Sequence, residues 1–426
     1  MGERRVIGYS LISRLGVLAG TAAVILLNTR MLGAAGQGQI AVFQLGMLLI
    51  SAVSGYFAGG TVVFLSRTWP LHSLWRAGSL WMAFSALAVG GVLKVVGGFP
   101  MLSMLILAGW MQAAVVFQGQ ILLALDAIRP HNRLAFLQTA LLAAFLGWMY
   151  TIGWRTVETY VISLLTALGL TLSYAGFVVR RRMGPRRTGA GPGLWREMWR
   201  YGRAAQTGSL LQLLTNRLPF TWLGRTGGPA VAGVYSVAFY GMEAMWTAAR
   251  AWAPVVHARI AAEHSRAGRL AVTRSLLVLT LLFTGTMWGV AVALPESAYA
   301  WAFGIDGVRV VLVALGPAVL AGAAASLVAH HLSGIGQHRW NAWTSGAALV
   351  AVVGCGAWWY AEHGALGAAA AASVAGLVQI SGLLIALHRE EGMQLSDWLP
   401  RRSDRDHLKA NRSSTPTTRS DSNPSA

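Results

Sequence analysis

Residues 158–187 read ETYVISLLTALGLTLSYAGFVVRRRMGPRR. From Glu158 to Val179 the segment is continuously apolar. At 1.5 Å per residue it is long enough to cross about 30 Å of hydrocarbon, and it lacks the period-two alternation of a barrel strand. It stops at Arg180, Arg181 and Arg182, with Arg186 and Arg187 close behind. An apolar run of this length, closed by a block of arginines, reads as a transmembrane helix whose C-terminal end is held in the cytoplasm.

The same pattern recurs along the chain. Further spans are predicted at about Gly8–Leu27, Gln39–Ala58, Ala77–Val96, Met101–Ala124, Leu134–Gly153, Tyr201–Leu223, Ala230–Ala249, Arg274–Leu294, Val310–His330, Trp340–Tyr360 and Leu366–Leu387. Composition agrees: 55% of residues are hydrophobic and only 12% charged, about half the charged share of a soluble chain. The N-terminus resembles a signal peptide, but its apolar run continues past Leu27 without a small-residue cleavage site, so it reads as an uncleaved first helix. The lone Cys355 lies in an apolar run and reads as an inert thiol.

The net charge of +19 would suggest nucleic acid in a soluble protein. Here the charges sit in short clusters between apolar runs. With the N-terminus placed in the cytoplasm, the inside loops hold Arg67, Arg76, Arg129, Arg133, the Arg180–Arg200 block, Arg259, Arg266, Arg269 and Arg339. The outside loops hold only Arg30, Lys94, Arg155, Arg225 and Arg309. An incorrect span count would scramble this asymmetry. It therefore supports about twelve spans with both ends in the cytoplasm. The expected partners are anionic membrane lipids and an anionic lipid-linked substrate, not nucleic acid.

Six spans precede the basic loop and six follow, so both halves insert the same way up. The fold class expected is all-α integral membrane, with two parallel six-helix bundles around a central cavity. The domains read as 1–180, a first bundle; 181–200, a basic cytoplasmic linker; 201–390, a second bundle; and 391–426, a disordered polar tail. A short internal repeat agrees: Gly38-Gln39-Ile40-Ala41-Val42 opens the second span and Gly233-Val234-Tyr235-Ser236-Val237 the eighth.

Several stretches resemble polysaccharide flippases of the multidrug/oligosaccharidyl-lipid/polysaccharide exporter superfamily. They are Ser13-Arg14-Leu15-Gly16, the run from Asn28 through Arg30 to Gly38, Tyr201-Gly202, Asn216-Arg217, Ala232 to Ala238, then Glu243, Trp246 and Pro254, His331 to Gly336, and Gly364 to Ala369. The resemblance covers about Ile7 to Leu387. It implies alternating access between two bundles and an undecaprenyl-pyrophosphate-linked oligosaccharide as substrate, with glycan polymerase and ligase machinery as further partners. The family often carries an acid two residues after the seventh-helix arginine; this chain has Pro219 there. Lipid II flippases of the superfamily usually have fourteen spans, so about twelve favours the O-antigen or exopolysaccharide branch.

A diphosphate is bound best by guanidinium groups, and an arginine inside a span is costly enough to be a functional candidate. Arg14 lies roughly 9 Å into the first span. Arg217 lies inside the seventh span, beside Asn216 and Pro219. These two are the expected phosphate contacts of a cationic cavity. Arg30 is expected either to guide the glycan's exit or to mark the interface; Asn28, Gln44, Gln112 and Gln118 either to bond sugar hydroxyls or to make interhelical contacts; and Asn216, beside Arg217, to donate and accept hydrogen bonds in the substrate cavity. Glu243, the acid well inside a span, is expected to pair with Arg217 or to bind a coupling ion. The chain carries no Walker loop, metal-ligand cluster or nucleophile constellation, so neither a cofactor nor enzymatic activity is expected. Two other readings remain: a cation-coupled multidrug exporter of the same superfamily, and a membrane-embedded polysaccharide polymerase.

Overall fold

The computed structural model describes residues 3–184, 191, 193–250, 256, 260, 263 and 265–392. The side chains of 3–12, 14 and 248–250 lie outside that description. So do the tail from 393 onward, Arg186, Arg187, Pro254 and Arg259, and the expectations that fall on them.

The helices run in chain order as α1 (Glu3–Ala58), α2 (Gly60–Leu65), α3 (Leu71–Val96), α4 (Leu102–Ala124), α5 (Ile128–Thr151), α6 (Val157–Arg182), α7 (Leu194–Thr226) and α8 (Gly228–Arg250). They continue as α9 (Arg266–Ala293), α10 (Glu296–Phe303), α11 (Val308–Ala314), α12 (Gly316–Gly334) and α13 (Arg339–Glu391). Seven helices among the described residues are long and apolar enough to cross a membrane, or eight if the bent pair α10–α11 counts as one span. This is a multi-pass membrane protein.

Two of these helices are each broken by one glycine. α1 leaves helical geometry at Gly33 (φ 68°, ψ −172°) and α13 at Gly364 (φ 52°, ψ −127°), both in the left-handed region where only glycine sits without strain. A Cβ added at Gly367 would overlap the carbonyl oxygen of Trp359, eight residues earlier. A straight helix would rise about 12 Å over that stretch, so the chain folds back at Gly364. Each limb of α1 and α13 exceeds the roughly 20 residues that one crossing needs.

Lipid offers no hydrophobic drive for helices to associate, so small residues that permit close approach do that work. The last limb carries such a surface: Ala368, Ala369, Ala371 and Ala375 are buried. A Cβ on Gly376 would stand 3.3 Å from Ala321 Cβ on α12. The cores follow the two halves. Val24, Phe43, Ile50, Leu105, Leu146 and Leu164 form one, all from α1 to α6. Phe239, Trp246, Leu312, Val319, Val352 and Ala371 belong to another drawn almost wholly from α7 onward. The second limb of α1 joins the halves, since Ala41 and Val42 pack into the latter core.

The structure departs from expectation at two connections. The predicted linker is not all loop: α7 begins at Leu194, and Leu194 and Met198 pack on Phe57, Leu65 and Leu74 of the first half. Trp69 Nε1 also donates to Glu197 (2.6 Å). The predicted loop from Pro295 to Val308 contains α10, which ends at left-handed Gly304 and turns 118° into α11. Glu296 closes this turn by accepting from the Gly307 amide (2.7 Å).

The arginine-rich helix ends form what we call the basic end. There Glu391, only 2% exposed, accepts from Arg269 Nε (2.9 Å) and Nη2 (3.0 Å). His331 Nε2 stands 3.6 Å from the same carboxylate, and its Nδ1 bonds Thr273 Oγ1 (2.6 Å). This cluster fixes the end of α13 to α9 and α12. Glu391→Ala leaves Arg269 without its carboxylate, and we expect a loss of about 3 kcal/mol. A thermal melt in detergent checks it; an unchanged midpoint contradicts a clamp.

Candidate functional site

A cavity of about 630 Å³ lies on the seam between the halves. It is walled by the first limb of α1, by α4 and α5, and by α8, and its lining reaches Phe303. Along α1 it runs from Ser13 to Leu26, about 20 Å. The polar lining is amide-rich. Gln138 Nε2 donates to Gln112 Oε1 (2.7 Å), and Asn132 keeps a buried Nδ2 with no hydrogen-bond partner. His131 Nδ1 lies 3.0 Å from the Gly119 carbonyl, and α8 contributes Tyr240, Glu243 and Thr247.

Arg217 stands behind this wall, buried, with its guanidinium bonded to Glu243. Three rings surround it: Phe220 at 5.4 Å, and Phe239 and Tyr240 each at 5.1 Å. The expected pairing across helices is therefore present. The Glu243 side chain is 27% exposed against 11% for Arg217, so the acid faces the cavity. Tyr240 Oη donates to Gln44 Oε1 (2.5 Å), and Gln44 Nε2 donates to Tyr160 Oη (2.7 Å). One chain of hydrogen bonds thus crosses the seam from α8 through α1 to α6.

Several expected cavity residues lie elsewhere. Asn28 is 1% exposed and accepts from Tyr150 Oη (3.0 Å), an interhelical contact. Gln44 is held by its two tyrosines, one on each side of its amide. Asn216 lines a separate cavity of about 460 Å³ within the second half and accepts from Gln212 Nε2 (3.2 Å). Arg30 points to Ala302 and Trp301, away from the cavity. The side chain of Arg14 lies outside the described residues. Among the described residues the cavity wall is therefore largely apolar, set with the amides of Gln112, Gln120, Asn132 and Gln138 and one acid, and Arg217 is its neutralised backing. Sequence reasoning missed His131, Asn132, Gln138, Tyr240 and Thr247. The available signal was spacing: Tyr240, Glu243 and Thr247 at i, i+3 and i+7, and His131 and Gln138 at i and i+7, each share one helix face.

The end opposite the basic one is shut by reciprocal contacts. Arg30, from the first half, donates through Nε to the Ala302 carbonyl (2.9 Å) and through Nη2 to that of Trp301, at the end of α10. Arg225, from the second half, donates to the carbonyls of Val96 and Gly97 (2.7 Å each), at the end of α3. Each arginine thus caps carbonyls that a helix terminus leaves unpaired and partly negative. The backbones meet just as closely. A Cβ on Gly38 would overlap the carbonyl of Pro229, and one on Gly233 that of Ala34. The short repeat is where the two halves touch. At the basic end, a Cβ on Gly202 would overlap the Tyr56 carbonyl.

Charged hydrogen bonds of this kind contribute about 1.5–3 kcal/mol each. Arg30→Ala with Arg225→Ala is therefore expected to open this end at least tenfold more often. The readout is labelling of Phe303→Cys, in a Cys355→Ser background, by an impermeant maleimide. Unchanged labelling contradicts a latch.

No protein-family model matches the chain, and no curated protein matches it in sequence. Its structure is similar to several solved transporters. Lipid II flippase MurJ in an inward closed conformation superposes with a TM-score of 0.73 at 11% identity, covering 97% of this chain and 94% of that one. A multidrug resistance MATE family transporter of the MOP superfamily, inward-facing, superposes with a TM-score of 0.67 at 13% identity, covering 96% and 100%. A MATE in the bent conformation gives 0.61 at 14% identity, covering 92% and 97%. The two helical halves and the seam between them are the fold that this chain shares with these solved structures. More particularly, it is the fold seen in the MurJ and MATE structures.

Proposed function

We propose that the chain is a flippase that moves undecaprenyl-pyrophosphate-linked oligosaccharide across the bacterial inner membrane for surface polysaccharide synthesis, by alternating access. In this reading each limb of α1 and α13 is one span, which with α3 to α9 and α12 makes about twelve spans in two parallel bundles, and the basic end faces the cytoplasm. One observation carries the reading: a cavity with amide side chains set in a largely apolar wall lies on the seam between the halves, and the halves are latched at the far end. Neutral amides match sugar hydroxyls, and Gln112, Gln120 and Gln138 line the cavity. Residue 14 shares the α1 register of Val17, Leu18 and Thr21, which line the cavity, so Arg14 is the candidate phosphate contact.

Cells lacking the protein should lose surface glycan and accumulate lipid-linked repeat units on the cytoplasmic leaflet. Normal surface glycan without accumulation sinks the proposal. Arg14→Ala should reproduce the deletion at normal protein abundance.

A second reading, a cation-coupled multidrug exporter, is favoured by Glu243, the acid facing the cavity. Drug resistance that depends on Glu243, with glycan export intact, would select it. A polysaccharide polymerase finds less support: the segment that would house its outer active site holds α10, whose C-terminus is engaged by Arg30.

A further inference from the structure

The lipid-facing side of the first half carries a groove unrelated to the seam. α3 and α6 both flank α4 and leave a depression of about 1140 Å³ between them. Its walls include Trp75 of α3, Trp110 of α4, and Leu172, Gly176 and Phe177 of α6. Trp75, Trp110 and Phe177 are exposed, at 36%, 37% and 54%. From Leu172 to Arg180 it runs about 12 Å along α6, close to the hydrocarbon depth of one leaflet.

The groove's mouth is basic. Arg180 and Arg181 line it at the end of α6, both exposed. Arg181 lies over the Phe177 ring at 4.2 Å, so one guanidinium is held at the rim. Among the described residues, no hydrogen bond or ion pair engages either arginine. At Gly176 the groove is open: a Cβ there meets nothing within 4 Å. Two guanidiniums above an apolar channel match a phosphate joined to an acyl chain, by charge at one end and by shape below it.

We infer that this groove is a binding site for an anionic phospholipid of the leaflet at the basic end, with its phosphate on Arg180 and Arg181 and an acyl chain over Gly176. The site faces away from the seam cavity. It stands whether or not the chain is a flippase.

The test uses the full-length protein in detergent, with bound lipid read by native mass spectrometry after exposure to phosphatidylglycerol or phosphatidylcholine. Wild type should retain phosphatidylglycerol roughly tenfold more strongly, and Arg180→Gln with Arg181→Gln should erase the preference. Gly176→Leu fills open space, so it should keep the thermal midpoint yet lose the lipid with both arginines intact. Arg196→Gln with Arg200→Gln, exposed cations at the same end, should change nothing. Four results would overturn the site: equal retention of both lipids by wild type, an unchanged arginine pair, retention by Gly176→Leu, or displacement by inorganic phosphate. Gly176→Leu and phosphate separate a seated lipid from a bare anion site, and the control pair separates it from diffuse attraction to the basic end.

Discussion

Glu243→Ala is expected to destabilise the protein by about 3–5 kcal/mol, the largest stability effect of any single substitution considered. The cause is the group left behind. Arg217 is buried among Phe220, Phe239 and Tyr240. Without the carboxylate, a guanidinium stands uncompensated in a low-dielectric wall. Removing both charges is a different matter: Arg217→Met with Glu243→Leu should recover most of the loss, because neither desolvation penalty remains. Thermal melts of Arg217→Met, Glu243→Leu and the double variant against wild type form the cycle that measures the coupling. If Glu243→Ala costs less than about 1 kcal/mol, the pair is solvent-screened and does not back the cavity.

Gly38→Ala and Gly233→Ala are expected to be nearly as disruptive, by a different route. Each added methyl would overlap a backbone carbonyl, of Pro229 or of Ala34, and a carbonyl cannot rotate aside as a side chain would. The second limb of α1 and the start of α8 must separate. Overpacking costs about 1–3 kcal/mol per site, and these two sites share one contact, so the double variant should cost less than the sum of the singles. Because the strain falls only on the state in which the halves touch, the substitutions should also favour opening at that end. Phe303→Cys, in the Cys355→Ser background, should label faster in both variants. Normal stability together with unchanged labelling would contradict a gate built from these two glycines.

The sequence revealed much of the fold because lipid makes strict demands. A span must be long, apolar and helical, so the runs from the first limb of α1 to the last limb of α13 were visible. The basic clusters fell at helix ends that the structure gathers together. Pairing of Arg217 with Glu243 was also legible, since an isolated charge at that depth needs a partner. The roles of Arg30, Asn28, Gln44 and Asn216 were not. A polar side chain in a span can serve a cavity or a neighbouring helix, and residue type alone does not distinguish them. Asn28 and Gln44 turned out to serve helices, and Arg30 caps α10. α10 was missed for a related reason: at eight residues it is too short for hydropathy, and its boundaries are set by Pro295 and Gly304. The start of α7 was hidden by arginines that read as loop, although Leu194 and Met198 mark a buried face.

The central claim, that a lipid-linked glycan crosses through the seam cavity, is tested most directly by leaflet exchange. The full-length protein is reconstituted in liposomes that carry a fluorescent undecaprenyl-pyrophosphate oligosaccharide, and an impermeant quencher reads the fraction in the outer leaflet over time. The account predicts that wild type brings the inner-leaflet pool to the quencher. It also predicts that Asn132→Leu and Gln138→Leu, which replace cavity amides with apolar groups, slow that exchange at least tenfold with melting unchanged. Exchange no faster than in protein-free liposomes, or equal rates in wild type and the cavity variants, would contradict it.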